Sequence, residues 1–218
     1  LSRSARSEFQ VDPACAEAAQ RAARALEQLG HSVEESHPEA MADGEATRAF
    51  VAVVACSVAR TLDVLGERVG HPPTANEVEP LTWALAELGR HFAAPRYLAA
   101  VESVHALGRR MASWWDQGFD LLITPATGQP PPRIGELVPH PERVFEDYAR
   151  SAPYGMFTSI FNLTGQPAIS LPVHRTEGGL PVGAQLVAAY GREDLLIRVA
   201  AQLEQALPWR ERRAPAAE

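Results

Sequence analysis

The chain has 218 residues, 46% of them hydrophobic and 22% charged, with a net charge of −7 and a pI near 5.5. That length supports one large core or two small ones, and one domain is the default expectation. The acidic balance, with arginines scattered among carboxylates, offers no basic field to gather phosphates, so nucleic acid is not expected as a partner.

Residues 1–11 are expected to be disordered. The stretch Leu1–Ser7 has neither an apolar core nor an initiator Met, so it reads as neither a signal peptide nor a natural start, which suggests a fragment. Asp12-Pro13 then opens a helix, an N-cap followed by proline in the first turn. Ala14, Ala18, Ala22, Leu26 and Leu29 recur at helical spacing until Gly30. His31–Ser36 reads as a short strand. The apolar run Ala49–Ala59, broken only by Ser57 and closed by Arg60, falls well short of the ~20 residues of a membrane span. It predicts a buried helix from Glu45 to Leu65, ended by Gly66, Gly70 and Pro72-Pro73, and no membrane partner. Helical patterns resume over 76–91 and 95–115, the second closing on Trp114-Trp115 as a core or interface anchor.

Gly118 releases the chain into Phe119-Asp-Leu-Leu-Ile-Thr-Pro125, a short apolar run expected to be a strand buried on both faces. The proline-rich segment 126–141 is an irregular loop. After a helix through Phe157 and Phe161, two β-patterned runs, Pro167–His174 and Leu180–Ala189, flank the turn Arg175–Gly179 and predict paired strands. An amphipathic helix from Glu193 to Leu207 closes the pattern. Alternating helices and apolar strands predict an α/β fold with a mixed β-sheet flanked by helices, Phe119–Ile123 and Pro167–Leu171 lying in the interior of one sheet.

The chemistry-bearing motifs are sparse. The seven histidines show no H-E-x-x-H spacing and the two cysteines no C-x-x-C, so no metal and no cofactor is expected. G-x-S-x-G, phosphate-loop and dinucleotide fingerprints are missing as well. Cys15 and Cys56 sit in Ala-rich helical patterns, which predicts small core residues rather than a disulfide and favours a reducing, cytoplasmic location. All 20 basic residues are arginine; the sequence contains no lysine.

The last hundred residues carry a resemblance. Phe119-Asp-Leu-Leu-Ile-Thr-Pro-Ala-Thr127, Phe161-Asn-Leu-Thr-Gly-Gln-Pro-Ala-Ile-Ser-Leu-Pro172, Gly179-Leu-Pro-Val-Gly-Ala-Gln-Leu-Val187 and Glu193-Asp-Leu-Leu196 resemble, in order and spacing, the closing segment of amidase signature enzymes. The run Met156–His174 looks most like the aminohexanoate cyclic dimer hydrolase branch. A looser likeness reaches back to the helix opened by Asp12-Pro13. The resemblance implies a hydrolase acting on amide or lactam carbon–nitrogen bonds through a Ser nucleophile, a second Ser on a cis peptide and a proton-handling Lys. None of these is expected within the chain. It has no lysine and no Gly-Gly-Ser-Ser-type run, and arginine, with a pKa above about 12, is no base.

The catalytic set within this sequence is therefore none, and the chain is expected to be the C-terminal half of an amidase, inactive without an N-terminal catalytic half as partner. What the resemblance leaves it is one side of the cleft for a small amide substrate: Thr124, Pro125, Ala126 and Thr127 on the loop after the buried strand, and Tyr154, Phe157 and Asn162 on the following helix. For Asn162, holding the helix end by a side-chain bond is an equal expectation. The competing readings are a free-standing non-catalytic binding or assembly module and a fragment of a glutamyl-tRNA amidotransferase A subunit. Separation from the other half would also leave apolar surface and strand edge open, which predicts a homodimer by edge pairing or by exchange of the arm Leu1–Gly30.

Overall fold

The computed structural model describes residues 10–209, so the disorder expected over residues 1–11 lies outside the described residues except at Gln10 and Val11, where Gln129 Nε2 donates to Gln10 O at 3.0 Å. The chain forms two compact units. One comprises Leu1–Met41, Met111–Pro132 and Pro153–Glu218, the other Ala42–Arg110 and Arg133–Ala152.

In the first unit, helix α1 (Pro13–Gln28) starts as its sequence prescribes: the Asp12 carboxylate accepts from Ala14 N at 2.8 Å and Pro13 occupies the first turn. Its buried face is built of Cys15, Ala18, Ala19, Ala22 and Leu26. Such small side chains let a helix lie close on a sheet. That sheet has three strands, β1 (Leu121–Pro125), β2 (Ala168–Arg175) and β3 (Pro181–Ala188), in the order β1-β3-β2. Helix α8 (Glu193–Ala206) adds Leu196, Val199 and Leu203 to the same core, which also takes in Ile123, Leu171, Val173, Ala184 and Leu186.

The α/β architecture matches expectation, but the pairing corrects it. Both strand contacts are antiparallel rather than mixed. β1 and β2 run the same way and would have formed a parallel pair, but β3 inserts between them. Interior position therefore belongs to β3, and β1 and β2 are the outer strands. β1 starts at Leu121, not Phe119, because Leu121 pairs with Ala188, the last residue of β3, and Phe119 lies beyond the ladder, its ring stacked on Trp114 with centroids 4.1 Å apart. From Leu122 to Pro125 the strand is nonetheless buried on both faces, as its apolar run predicts.

β2 alternates instead: Leu171 and Val173 point into the core, while Ala168, Ser170 and Pro172 are exposed. Its register with β3 slips between Leu171 and His174, where Pro172 has no N–H to give the ladder. His31–Ser36, expected to be a strand, pairs with no strand among the described residues. An extended segment becomes a strand only when a ladder partner meets its backbone groups.

In the second unit, helix α2 (Glu45–Val69) runs beyond the predicted stop at Leu65. It passes through Gly66 and ends at Gly70, whose φ of 87° is the left-handed conformation that closes helices. The helix is half-buried rather than buried. Ala49, Ala52, Ala55, Ala59 and Leu62 face inward, while Ser57, Arg60, Asp63 and Glu67 are exposed. Between Arg48 and Val69 it is long and apolar enough, by length and composition, to cross a bilayer. Here it packs against helix α3 (Pro80–Arg90), which begins at a first-turn proline rather than at residue 76. The two helices meet at Gly89, where a Cβ would lie 2.2 Å from the Ala55 carbonyl oxygen.

Helix α4 (Ala94–Trp115) follows. Between β1 and β2 the expected single helix is three short ones, α5 (Val144–Ala149), α6 (Ala152–Gly155) and α7 (Ser159–Thr164). Asp147 on α5 accepts from His140 N at 2.7 Å and lies 3.7 Å from the Arg150 guanidinium, anchoring the preceding loop. The His140 amide first, then Arg143 and Arg150, holds its carboxyl below the usual range.

Two outcomes follow from this packing. Gly89→Ala gains about 1 kcal/mol of helix propensity but forces backbone apart at a cost of about 1–3 kcal/mol or more. A thermal melt should therefore fall, with Gly89→Val lower still. Because the Asp147 pKa is lower folded than unfolded, its stabilisation is complete above the unfolded value of about 3.9 and is lost as pH falls through the folded one. Asp147→Asn should flatten the stability–pH curve on that acid limb, read by urea unfolding between about pH 2 and 5.

Candidate functional site

The loop that leaves β1 is built from a chain of backbone and side-chain bonds. Ala126 N donates to Gly183 O at 3.0 Å, carrying the β1–β3 ladder one residue past the strand. Thr124, fully buried, donates from Oγ1 to Pro125 O and accepts from Gln185 Nε2 at 3.0 Å. The same Nε2 donates to Phe157 O at 3.2 Å. A single buried side chain from the central strand thus ties the end of β1 to the turn between α6 and α7.

The loop is clamped a second time at Gly128. Its N–H donates to Pro153 O and its carbonyl accepts from Asp12 N, both at 2.8 Å. A Cβ at Gly128 would come within 2.4 Å of Met156 Sδ and 2.7 Å of Pro153 O, so only glycine permits this approach. Thr127 Oγ1 donates to Gln129 O at 2.8 Å.

These bonds bring together most of the residues singled out from the sequence. Thr124 and Pro125 close β1 and Ala126 and Thr127 open the loop after it, Phe157 is joined to Thr124 through Gln185, and Tyr154 adjoins Pro153, to which Gly128 is bonded. Their exposure divides them. Thr124, Pro125 and Phe157 are buried, Ala126, Thr127 and Tyr154 are partly open, and Asn162 is exposed. Asn162 does not hold its helix end. That end is closed by Gly165, with φ 73° and its N–H on Phe161 O at 2.8 Å, and by Thr164 Oγ1 on Ile160 O at 3.0 Å.

Gln185 is the residue that sequence reasoning passed over. Its signal was present: a glutamine inside an apolar strand must find hydrogen bonds if it is buried.

The gathered groups can shape and hydrogen-bond a ligand, but they hold no nucleophile with a base beside it. Cys15 Sγ lies 3.9 Å from Thr127 Oγ1. Burial pushes its thiol up, the Thr127 bond opposes this, and Asp12 adds to the rise, so it remains protonated at neutral pH. Among the described residues, no three His, Cys, Asp or Glu side chains gather as a metal site.

The bridge gives a direct test. Gln185→Leu leaves the buried Phe157 carbonyl unpaired and should cost about 1–3 kcal/mol. Gln185→Glu, whose carboxylate can donate to neither oxygen, should cost more at neutral pH than near pH 4, as measured by urea unfolding.

The chain matches the amidase family model over residues 3–197. It is 40% identical over 211 residues to the 6-aminohexanoate-cyclic-dimer hydrolase of Pseudomonas sp. (strain NK87), an alignment covering 94% of this chain and 43% of that protein. It is 34% identical over 196 residues to the putative amidase AmiC of Mycobacterium tuberculosis (strain ATCC 25618 / H37Rv), covering 87% and 39%. The solved structure of a 6-aminohexanoate cyclic dimer hydrolase complexed with substrate superposes with a TM-score of 0.90 at 39% identity, over 96% of this chain and 44% of that one. The chain thus spans less than half the length of the relatives it matches. With its loop, strands and helices in the family's order, this chain belongs to the amidase signature family and has the fold of that family's carboxy-terminal portion.

Proposed function

We propose that this chain is the substrate-wall part of an amide hydrolase that opens a cyclic amide, with the reacting Ser, cis-Ser and Lys carried outside these 218 residues. The observation that carries the division of labour is the sequence's lack of any lysine, since the family's proton transfers need an amine that can lose its charge and no arginine can. The lactam reading is supported by 40% identity, over 94% of the chain, to hydrolases named for a cyclic dimer of 6-aminohexanoate.

In the assembled enzyme, the Ser Oγ attacks the carbonyl carbon, the carbon–nitrogen bond breaks and the nitrogen takes a proton, leaving an acyl-enzyme that water hydrolyses. In a cyclic diamide the freed amine stays tethered to the acyl group, so the product is one linear molecule. Ala126, Thr127, Tyr154 and Asn162 present the surface that meets substrate, while Thr124, Pro125 and Phe157 are the buried support that fixes it. The two free cysteines suit a reducing compartment, and we place the protein in the cytoplasm.

The 218-residue chain should release no amine from the cyclic dimer of 6-aminohexanoate or from short aliphatic and aromatic amides. Mixed with the catalytic portion of the Pseudomonas hydrolase, it should restore turnover. Activity of the chain alone that a point change within it abolishes would overturn the inactive-wall reading. Restored turnover of simple amides but not of the cyclic dimer would remove the lactam assignment.

A further inference from the structure

Thr127, on the loop after β1, is half-buried, and the directions of its two side-chain hydrogen bonds follow from a count of protons. A hydroxyl has one hydrogen to give and two lone pairs with which to receive. Thr127 Oγ1 gives its hydrogen to Gln129 O at 2.8 Å. Cys15 Sγ lies 3.9 Å from the same oxygen. Because the Thr127 proton is committed to the shorter and stronger carbonyl bond, the thiol is the donor of this second pair. Cys15 has the hydrogen to give: it is fully buried on the first turn of α1, and burial keeps it protonated at neutral pH.

Toward a ligand Thr127 can therefore only accept, with the lone pair that Cys15 does not take. The Asp12 carboxylate acts in the same sense. It is near enough to raise the Cys15 thiol through its charge, and it is held in place by Ala14 N on its side chain and by its own N–H on Gly128 O, both at 2.8 Å. A fixed negative charge beside an oxygen lone pair favours the positive end of an N–H and disfavours another oxygen. The position of the hydroxyl is equally fixed, since the next residue, Gly128, is bonded through both its N–H and its carbonyl.

We infer that Thr127 is a specificity-determining residue whose hydroxyl oxygen receives an N–H of the substrate, so that the wall selects amides carrying hydrogen on nitrogen over lactones, esters and N-alkylated amides. A lactone puts a ring oxygen where the lactam puts N–H, and two acceptors then face each other. An N-methyl amide has no hydrogen to give and sets a methyl group against the hydroxyl. Because Thr127 is only half-buried, water can meet its oxygen when the ligand does not. The preference is therefore about tenfold rather than the far larger discrimination of a closed polar pocket. That the ligand is a cyclic amide rests on the proposed hydrolase function; the direction of the hydroxyl does not.

Infrared spectroscopy of the 218-residue chain reads that direction. The sequence has two cysteines, so Cys56→Ala leaves Cys15 as the single thiol. Its S–H stretching band should lie below that of an unbonded thiol. Thr127→Val removes the acceptor and should move the band to higher frequency, whereas Thr127→Ser should leave it in place. A band indifferent to Thr127→Val would show that the thiol is not the donor and would overturn the inference.

The preference itself is read by titrating the chain with ε-caprolactam, N-methylcaprolactam and ε-caprolactone, one ring that carries N–H, N–CH3 or O at the same position. The backbone amide signals of Thr127 and Gly128, followed by NMR, report binding. The lactam should bind about tenfold more tightly than the other two, with the difference erased by Thr127→Val and kept by Thr127→Ser. Equal affinity for all three, a preference for the lactone, or no response to any of them would each overturn the inference. Neither measurement depends on turnover, so a failed amine-release assay would remove the hydrolase reading while a lactam preference at Thr127 still stood.

Discussion

The organisation of the first unit depends on β3 being hydrogen-bonded along both edges. Among the described residues only this strand has a neighbour on each side, and α1 and α8 share a core with its Val182, Ala184, Leu186 and Ala188. Its opposite face carries Gln185, a polar side chain placed where two backbone-rich segments converge. The arrangement sets loop, turn and sheet as a unit: Thr124 and Phe157, far apart in sequence, are fixed relative to each other by the amide nitrogen of one residue. Net stabilisation from such bonds is modest, whereas leaving a buried carbonyl unpaired is expensive, so the bridge acts chiefly by making other loop positions unfavourable.

Close backbone approach provides the second layer of definition. At Gly128 the loop after β1 lies against Pro153 and Met156, at Gly183 the central strand admits Ser170 Oγ and the Ala126 methyl, and at Gly89 α3 lies on the α2 backbone. Each is a place where one added carbon meets backbone or a packed side chain, and interiors at native density accommodate such additions poorly. Ser170 and Ala126 lie close against Gly183, beside the exposed small residues Ala168 and Pro172 of β2.

Function divides along chemical lines. Proton transfer and nucleophilic attack require groups whose charge can change near neutral pH, and the candidate wall has none: its thiol is pushed up by burial and its other members are Thr, Pro, Ala, Tyr, Phe and Asn. What such a wall can contribute is position, the holding of a carbonyl at the right distance and angle from groups elsewhere, and positioning of that kind can account for a large part of an enzyme's rate.

Much of this was legible in the residue pattern. Asp12-Pro13 and the alanine spacing specified α1, the apolar run to Pro125 specified a strand buried on both faces, and the Gly178-Gly179 turn specified the β2–β3 pair, because capping, periodicity and turn chemistry are local. The same pattern carried the family likeness and the missing base. What it could not carry was decided by partners distant in sequence. Whether His31–Ser36 becomes a strand depends on a ladder partner rather than on its own propensity. Gly66 is a stop signal in isolation, but the α2 helix runs on through it, with Pro73 Cδ and the His71 carbonyl close against it. The sheet order, with β3 between two strands of like direction, and the role of Gln185 follow from hydrogen bonds that span 61 and 28 residues, and no local rule of spacing encodes a bond between groups that meet only when the chain has folded.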